Sequence, residues 1–355
     1  MLLTFHLASL LIRITNTYKE PFLKRATQKD VARLAGVSQA SVSMVMSGGG
    51  SPALSSETWE RITNAAAQLG YTPNRFAQAL KTNRTMTIAC IVPDITNPFY
   101  PALMRGIQSV AEELNYDVIA VSTDGSAERE RHFLDWSRQG RVDGVIGVFF
   151  TLRAGDFKPL VDAGVPVVRI ESSKKRGGDI AIDDIFIDSY AAALAVTQFL
   201  IGRGHHRIAM VAGRGGPQGV RVEGYRTALA EAGGAPYVVI DEEFSETGGA
   251  RAAEAVLASG YAPTAIFAAN DLMAIGVMQA LRDRGIAIPG DIAVAGFDDI
   301  SAARLVTPSL TTVSQFQGDI GVKAAQILME RLRGSKPGAG TALEMPFSLI
   351  ERGST

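Results

Sequence analysis

The chain changes texture at Met86, and the second texture fixes most of what it can fold into. From there onward short apolar runs alternate with amphipathic stretches. The runs are Ile88–Val92, Val118–Val121, Gly144–Phe149, Val165–Ile170, Ile208–Ala212, Tyr237–Ile240, Ala265–Ala268 and Ile292–Ala295. One intervening stretch carries Leu103, Ile107, Val110 and Leu114 at helical spacing. Repeated strand–helix units predict parallel sheets with helices on both faces. About nine units in roughly 270 residues exceed one doubly wound sheet, so two similar lobes facing a cleft are expected. Ligands of such sheets bind beyond the carboxyl ends of the strands. Asp94, Glu171, Asn270 with Asp271, and Asp298 with Asp299 stand at those ends. A hydrophobic content of 46% against 20% charged residues supplies the cores, and 355 residues leave room for a further domain.

That domain precedes Met86. Residues 27 to 82 carry helix signals alone. Thr27 and Asp30 form a capping-box pattern that opens a helix through Ala35, and Gly36 ends it. Ser38 caps a second helix over roughly Gln39 to Met46, stopped by the glycine run Gly48–Gly50. Ser55 or Ser56 starts a third, with Ile62, Ala66 and Leu69 on its apolar face and Gly70 at its end. Two short helices joined through a glycine make a helix-turn-helix, with Val31, Leu34, Val37, Val42 and Val45 locking the pair. The second helix then presents Ser38, Gln39, Ala40, Ser41, Ser43 and Met44 outward near its N-terminus. Hydroxyls and amide N–H groups there suit phosphates, and Gln39 can pair bidentately with adenine. A three-helix bundle with no DNA role fits the same pattern. The charge distribution is compatible with either: net charge is -1 for the whole chain. Between residues 24 and 84, however, eight Lys and Arg face only Asp30, Glu57 and Glu60.

After the third helix, YTPNRFAQALKTNRT reads as a hinge. Pro73 and Asn74 start a short helix from Arg75 to Leu80, and about seven residues do not hold a helix alone in water. Such a segment orders with its partners, which suits a switch. Leu80 is a candidate apolar wedge for a minor-groove base step.

Other motifs exclude more than they suggest. GRGGPQG follows a strand, but the third glycine of GxGxxG falls on Gln218, and no GxxxxGK[ST] phosphate loop occurs. His205 and His206 are adjacent, without metal-ligand spacing, and read as a turn. The pairs Asp183/Asp184 and Asp298/Asp299 lack an accompanying nucleophile or base, so no catalytic residue, metal or cofactor is expected. One cysteine, Cys90, forms no intrachain disulfide, which fits a reducing cytoplasm and equally those bacterial periplasmic proteins that lack disulfides. The opening MLLTFHLASLLIR lacks a basic residue before its apolar stretch, and His6 and Arg13 interrupt any membrane span. Residues 1–25 are expected to be a disordered or mis-assigned extension.

The strings DVARLAGVSQASVS, LGYTPNRFAQAL and IACIVPDITNPFY resemble the lactose- and galactose-repressor (LacI/GalR) family. VDGVIG, GRGHHRIAMVAG, RVEGYRTAL, AIFAANDLMAIG, IAVAGFDDI, PSLTTV and LIERGST continue the resemblance, in order, to residue 355. It implies an all-α helix-turn-helix headpiece (26–72) and a hinge helix with linker (73–84). An α/β core of two doubly wound, periplasmic-binding-protein-like lobes (85–355) would follow. The first lobe would hold about 85–187 and 316–344, the second about 188–315 and 345–355. It further implies a cytoplasmic, nucleoid-associated bacterial repressor. Such a protein binds double-stranded operator DNA as a homodimer and answers to a small-molecule effector, a sugar or sugar derivative. No membrane partner is implied.

Residue by residue, the resemblance puts Gln39, Ala40 and Met44 at base-reading positions and Ser38, Ser41 and Ser43 at capping and phosphate-contacting ones. Ala77 and Leu80 match minor-groove residues of the hinge, and Thr27, Asn74 and Arg75 complete the DNA-contacting set. Met44 departs from the family's common arginine: it offers a base apolar contact in place of a guanine reader. Ser189 departs from the asparagine often found after Asp188. Effector contacts would come from Phe99, Glu171, Arg221, Phe244, Asn270 and Asp298, whose carboxylates, amide and guanidinium can bracket sugar hydroxyls while an aromatic face covers an apolar one. As plainer alternatives, Asp298 caps a helix and Arg221 is a surface charge. A periplasmic-type sugar-binding protein without DNA function accounts for the lobes and the apolar start, but not for residues 27–82. A Rossmann-type enzyme accounts for the sheets but lacks the phosphate fingerprint.

Overall fold

The computed structural model describes residues 25–46, 54–174 and 180–355. The expected extension, except Arg25, and the glycine run Gly48–Gly50 lie outside the described residues. The chain divides into two compact units between Asn83 and Arg84.

The first unit holds four helices among its described residues: α1 (Gln28–Ala35), α2 (Gln39–Met46), α3 (Ser56–Gln68) and α4 (Arg75–Thr82). Thr27 and Asp30 close a reciprocal capping box on α1, and Gly36 ends the helix at φ 65°, a left-handed conformation that glycine adopts without steric cost. The Ser38 and Ser55 hydroxyls accept from Ser41 N (3.1 Å) and Thr58 N (3.2 Å), each cap contributing about 1 kcal/mol. Val31, Val42 and Ile62 lie at the centre of the small core, surrounded by Ala32, Ala35, Val45, Ala65 and Ala66. Leu34, expected in that core, is 47% exposed, and Leu69 is also exposed. At about 100° per residue, the face built by Val31, Ala32 and Ala35 leaves Leu34 roughly 100° to one side. The hinge helix runs two residues beyond the expected Leu80, with Thr82 Oγ1 bonded back to Gln78 O at 3.0 Å.

The second unit contains two parallel sheets. The first has the order β11-β5-β4-β3-β1-β2. Its strands are β1 (Thr87–Val92), β2 (Asp117–Ser122), β3 (Gly144–Gly147), β4 (Val167–Glu171), β5 (Ile182–Phe186) and, much later in the chain, β11 (Ala342–Glu344). Helices α5 (Phe99–Glu113), α6 (Ala127–Trp136) and α7 (Lys158–Asp162) connect the early strands. The second sheet has the order β7-β6-β8-β9. It comprises β6 (Ile208–Gly213), β7 (Tyr237–Asp241), β8 (Ala265–Ala268) and β9 (Ala293–Ala295). Helices α8 (Ser189–Gly202), α9 (Gln218–Glu231), α10 (Glu246–Ala258) and α11 (Asp271–Asp283) accompany these strands. An antiparallel pair, β10 (Thr312–Ser314) with β12 (Ser348–Ile350), packs against α8, while α12 (Gln317–Leu332) packs against α5. The chain therefore passes between the sheets three times: after β5, after β10 and after β11.

Four strands escape the periodicity reading. β10, β11 and β12 have three residues each, too few to show a period. β5 reads IDDIF, and its two carboxylates look like a loop. Both are buried and paired: Asp184 accepts two bonds from Arg169 (2.8 and 2.9 Å), and Asp183 two from Arg331 (2.7 and 3.1 Å). Neutralised in this way, both acids fit within a central strand.

Candidate effector cavity and DNA-reading face

A cavity of about 190 Å³ opens between the two sheets of the second unit, at the carboxyl ends of their strands. Each group of lining residues follows a strand. Asp94, Asn97, Phe99 and Tyr100 come after β1; Phe149 and Phe150 after β3; Glu171 and Ser172 end and follow β4. From the second sheet come Gly216, Pro217 and Arg221 after β6, Phe244 after β7, Asn270 after β8 and Asp298 after β9. Gln315 follows β10, and Ser189 opens α8 at the first crossover. All six candidate effector residues thus line one cavity.

Their supports explain how they are held. Arg221 is buried, not a surface charge: its guanidinium lies 3.6 Å from the centre of the Phe297 ring and donates to Ala269 O and, at 3.5 Å, to Asp298 Oδ1. Asp298 caps no helix; its Oδ1 also accepts from Gln315 Nε2 at 2.6 Å. The Asp298 backbone sits at φ 120°, sparsely populated for a residue with a Cβ, and is held there by its N–H to Val313 O at 2.9 Å and by Gln317 on its carbonyl. Burial pushes the Asp298 carboxyl up to about 6, against the lowering influence of Arg221 and Gln315. Burial likewise pulls Arg221 below its ordinary value, with Asp298 opposing. Both shifts oppose the charged form because each group loses more hydration than a 3.5 Å contact replaces.

Asn270 both caps a helix and lines the cavity. Its Oδ1 caps α11 by accepting from Met273 N at 2.8 Å, and its Nδ2 points to Phe244 O at 3.4 Å. Glu171 pairs with Arg169 at 3.5 Å. Phe244 packs against Gly213, where an added Cβ would lie 2.6 Å from the ring. Two buried polar atoms in the lining residues, Ser189 Oγ and Arg221 Nε, have no hydrogen-bond partner.

Asn97, Tyr100, Phe149, Phe150, Ser172 and Gln315 are lining residues that the sequence reading did not single out. Phe149 falls in a run read as strand to its end, whereas β3 stops at Gly147 and releases both phenylalanines into a loop. Gln315 follows a three-residue strand with no pattern to mark it.

In the first unit, α2 buries Val42 and Val45 and leaves Gln39, Ala40 and Met44 exposed, with Ser41 and Ser43 half-buried beside them. Ser38 caps this helix and Thr27 caps α1. The Gln39 side chain donates to Gln28 Oε1 at 3.4 Å. Asn74, Arg75 and Ala77 are exposed, and Leu80 is 90% exposed. An apolar side chain so far out of any core is available for a partner.

Residues 27–74 match the model of bacterial regulatory proteins of the lacI family, and residues 197–355 match a periplasmic binding protein-like domain. The ribose operon repressor of Escherichia coli (strain K12) is 36% identical over 338 residues, covering 93% of this chain and 99% of that one. This chain belongs to the LacI family. A lac repressor dimer bound to operator and the anti-inducer ONPF has a similar structure (TM-score 0.81, 26% identity, 93% of this chain and 99% of that one). So does a LacI family transcriptional regulator from Enterococcus faecium with bound ribose (TM-score 0.68, 28% identity, 76% and 98%). The expected architecture, a helix-turn-helix headpiece and a periplasmic-binding-protein-like core, is the one observed. This LacI-family chain is a DNA-binding transcriptional regulator of the repressor type with a ligand-binding core. The match over the headpiece sets aside a sugar-binding protein without DNA function. Among the described residues no helix is long and apolar enough to cross a membrane.

Proposed function

We propose that this LacI-family protein is a homodimeric, operator-binding repressor of the bacterial cytoplasm whose effector is a neutral, unphosphorylated sugar of monosaccharide size. The lining of the cavity carries this reading. Phe99, Phe150 and Phe244 supply apolar faces, while Asp94, Glu171, Asp298, Asn270 and Arg221 supply hydrogen-bonding groups around them. Mostly apolar walls with a few convergent polar groups are what a sugar ring needs. A phosphate ester is held most strongly by cations free to pair with it. Among the described lining residues Arg221 is the one Lys or Arg, it is already paired with Asp298, and two further carboxylates, Asp94 and Glu171, also line the cavity. About 190 Å³ is also below the roughly 300–1,000 Å³ of drug-sized pockets, which suits a single ring. The ribose operon repressor and the ribose-bound relative support the same ligand class.

On the DNA side, α2 enters the major groove with Gln39, Ala40 and Met44 toward base edges and Ser38, Ser41 and Ser43 toward phosphates, as helix-turn-helix proteins do. Thr27, Asn74 and Arg75 add backbone contacts, and Ala77 and Leu80 reach the minor groove. Pairing of two copies would cover apolar side chains that a monomer exposes: Ile119 on edge strand β2, Ile240 on edge strand β7, and Leu305, 82% exposed. The effector acts by preferring one arrangement of the lobes, so DNA affinity changes by its differential affinity for the two states.

Thermal unfolding of the purified protein against neutral pentoses and hexoses and their phosphate esters tests the ligand class. At least one neutral sugar should raise the melting temperature. Stabilisation by phosphate esters alone, or by none of the panel, would overturn the sugar assignment.

A further inference from the structure

We propose that Phe150 sets the outer size limit of the effector cavity and that Glu130 is the residue that positions it. The inference rests on the sugar reading of the cavity and deepens it.

Two adjacent phenylalanines leave β3 and take different roles. Phe149 is buried and packs edge-to-face on Phe157 with ring centres 4.9 Å apart, an ordinary core contact. Phe150 is half-buried and lines the cavity. Its ring lies in a slot made by glycines from both sheets. A Cβ on Gly125, in the loop after β2, would lie 3.2 Å from Phe150 Cδ2. A Cβ on Gly216, in the turn after β6, would lie 2.7 Å from Phe150 Cζ, with two further ring carbons at 3.0 and 3.1 Å. The ring therefore reaches from the first sheet across the cleft to backbone of the second, and it fits because Gly216 has no side chain. A ligand substituent that projects past the sugar ring toward this turn meets the Phe150 ring.

The loop carrying Phe150 is held by a single side chain. Glu130, on α6, is fully buried. Its Oε1 accepts from Phe150 N at 2.7 Å, and its Oε2 accepts from Thr151 N at 3.1 Å and from Thr151 Oγ1. Among the described residues these are the hydrogen bonds it makes, and no cation pairs with it. A carboxylate removed from water and satisfied by the backbone of two successive residues fixes that backbone far more tightly than a neutral group would. Glu130 has no contact with the cavity itself, so it acts through Phe150.

The test compares free monosaccharides (D-ribose, D-glucose, D-galactose) with their methyl and nitrophenyl glycosides. Binding is read by calorimetric titration of the full-length protein. The wild type should bind a free sugar and discriminate against its glycosides. Phe150→Ala should raise the ratio of glycoside to free-sugar affinity by about tenfold or more, the scale of size discrimination in apolar pockets. Glu130→Gln should move the same ratio in the same direction by a smaller factor, a change that simple loss of stability does not produce. If Glu130→Gln unfolds, Thr151→Val, which removes one of the three bonds to Glu130, serves in its place. An unchanged ratio in Phe150→Ala would overturn the size limit. A changed ratio there with none in Glu130→Gln or Thr151→Val would overturn the positioning role. Failure of every sugar and glycoside to bind any variant would overturn the sugar reading and the size limit together, whereas binding with unaltered selectivity overturns the size limit alone.

Discussion

The carboxyl of Asp271 makes stability depend on pH in a way that one isosteric substitution removes. Asp271 is fully buried at the start of α11, where its Oδ1 accepts from Thr312 Oγ1 and its Oδ2 from Ile300 N at 2.9 Å. Burial, reinforced by the charge of Asp298, raises it from 3.8 to about 7. Between those two values the folded protein keeps a proton that the unfolded chain has released. Stability therefore falls as pH rises through that window. For one site with these values, linkage gives about 2 kcal/mol less stability at pH 7 than at pH 5. Asp271→Asn keeps the shape and has no proton to lose. Calorimetric melting at pH 5, 6 and 7 without ligand should show the variant gaining on the wild type by ~5 °C across the range, at about 2–4 °C per kcal/mol for a domain this large. Asp183 and Asp241 are shifted the other way, so their contributions change below the ordinary carboxylate value, and they are common to both proteins. Melting temperatures of variant and wild type that run parallel from pH 5 to 7 would refute the reasoning.

Three substitutions test the two sites. Leu80→Ala should weaken operator binding by about 1–3 kcal/mol while leaving non-specific DNA binding within about twofold, as measured by fluorescence anisotropy; equal losses on both DNAs would remove the wedge role. Met44→Arg should shift operator preference toward a guanine at one base pair of each half-site in selection from random DNA, and an unchanged profile would show that this position reads no base. Asp298→Asn should cost the effector roughly tenfold to a hundredfold in affinity by titration calorimetry while operator affinity without effector stays within about twofold. Asparagine is the appropriate replacement because its Oδ1 can still accept from Arg221 and Gln315, donors that alanine would leave unpartnered, and normal effector affinity would exclude Asp298 from the site.

The folded architecture was largely legible because it is written in periodicity. Eight strand-like runs and the caps at Thr27, Ser38 and Ser55 correspond to observed elements. Where one signal contradicted another, the reading failed. Asp183 and Asp184 disguise β5 because their partners, Arg331 and Arg169, lie 148 and 15 residues away. Leu34 is apolar and near the right spacing, yet it lies beside the buried face of α1. Of the six candidate effector residues, Glu171, Asn270 and Asp298 are polar groups at strand ends, whereas Phe99, Arg221 and Phe244 were legible only through the family resemblance; the topology gathers all six around one cavity. Gln315 and Phe150 reach the same cavity through a three-residue strand and an irregular loop, whose course depends on tertiary bonds such as those of Glu130. No local pattern encodes such contacts.

A sugar held in the core is proposed to control the grip of the headpiece on DNA. The most direct test is anisotropy titration of the wild-type protein on its selected operator, with and without a saturating neutral sugar that stabilises the core. Operator affinity should change by at least about fivefold with the sugar, and the sugar concentration needed for that change should rise roughly tenfold or more in Asp298→Asn. Identical operator affinity with and without bound sugar would contradict it.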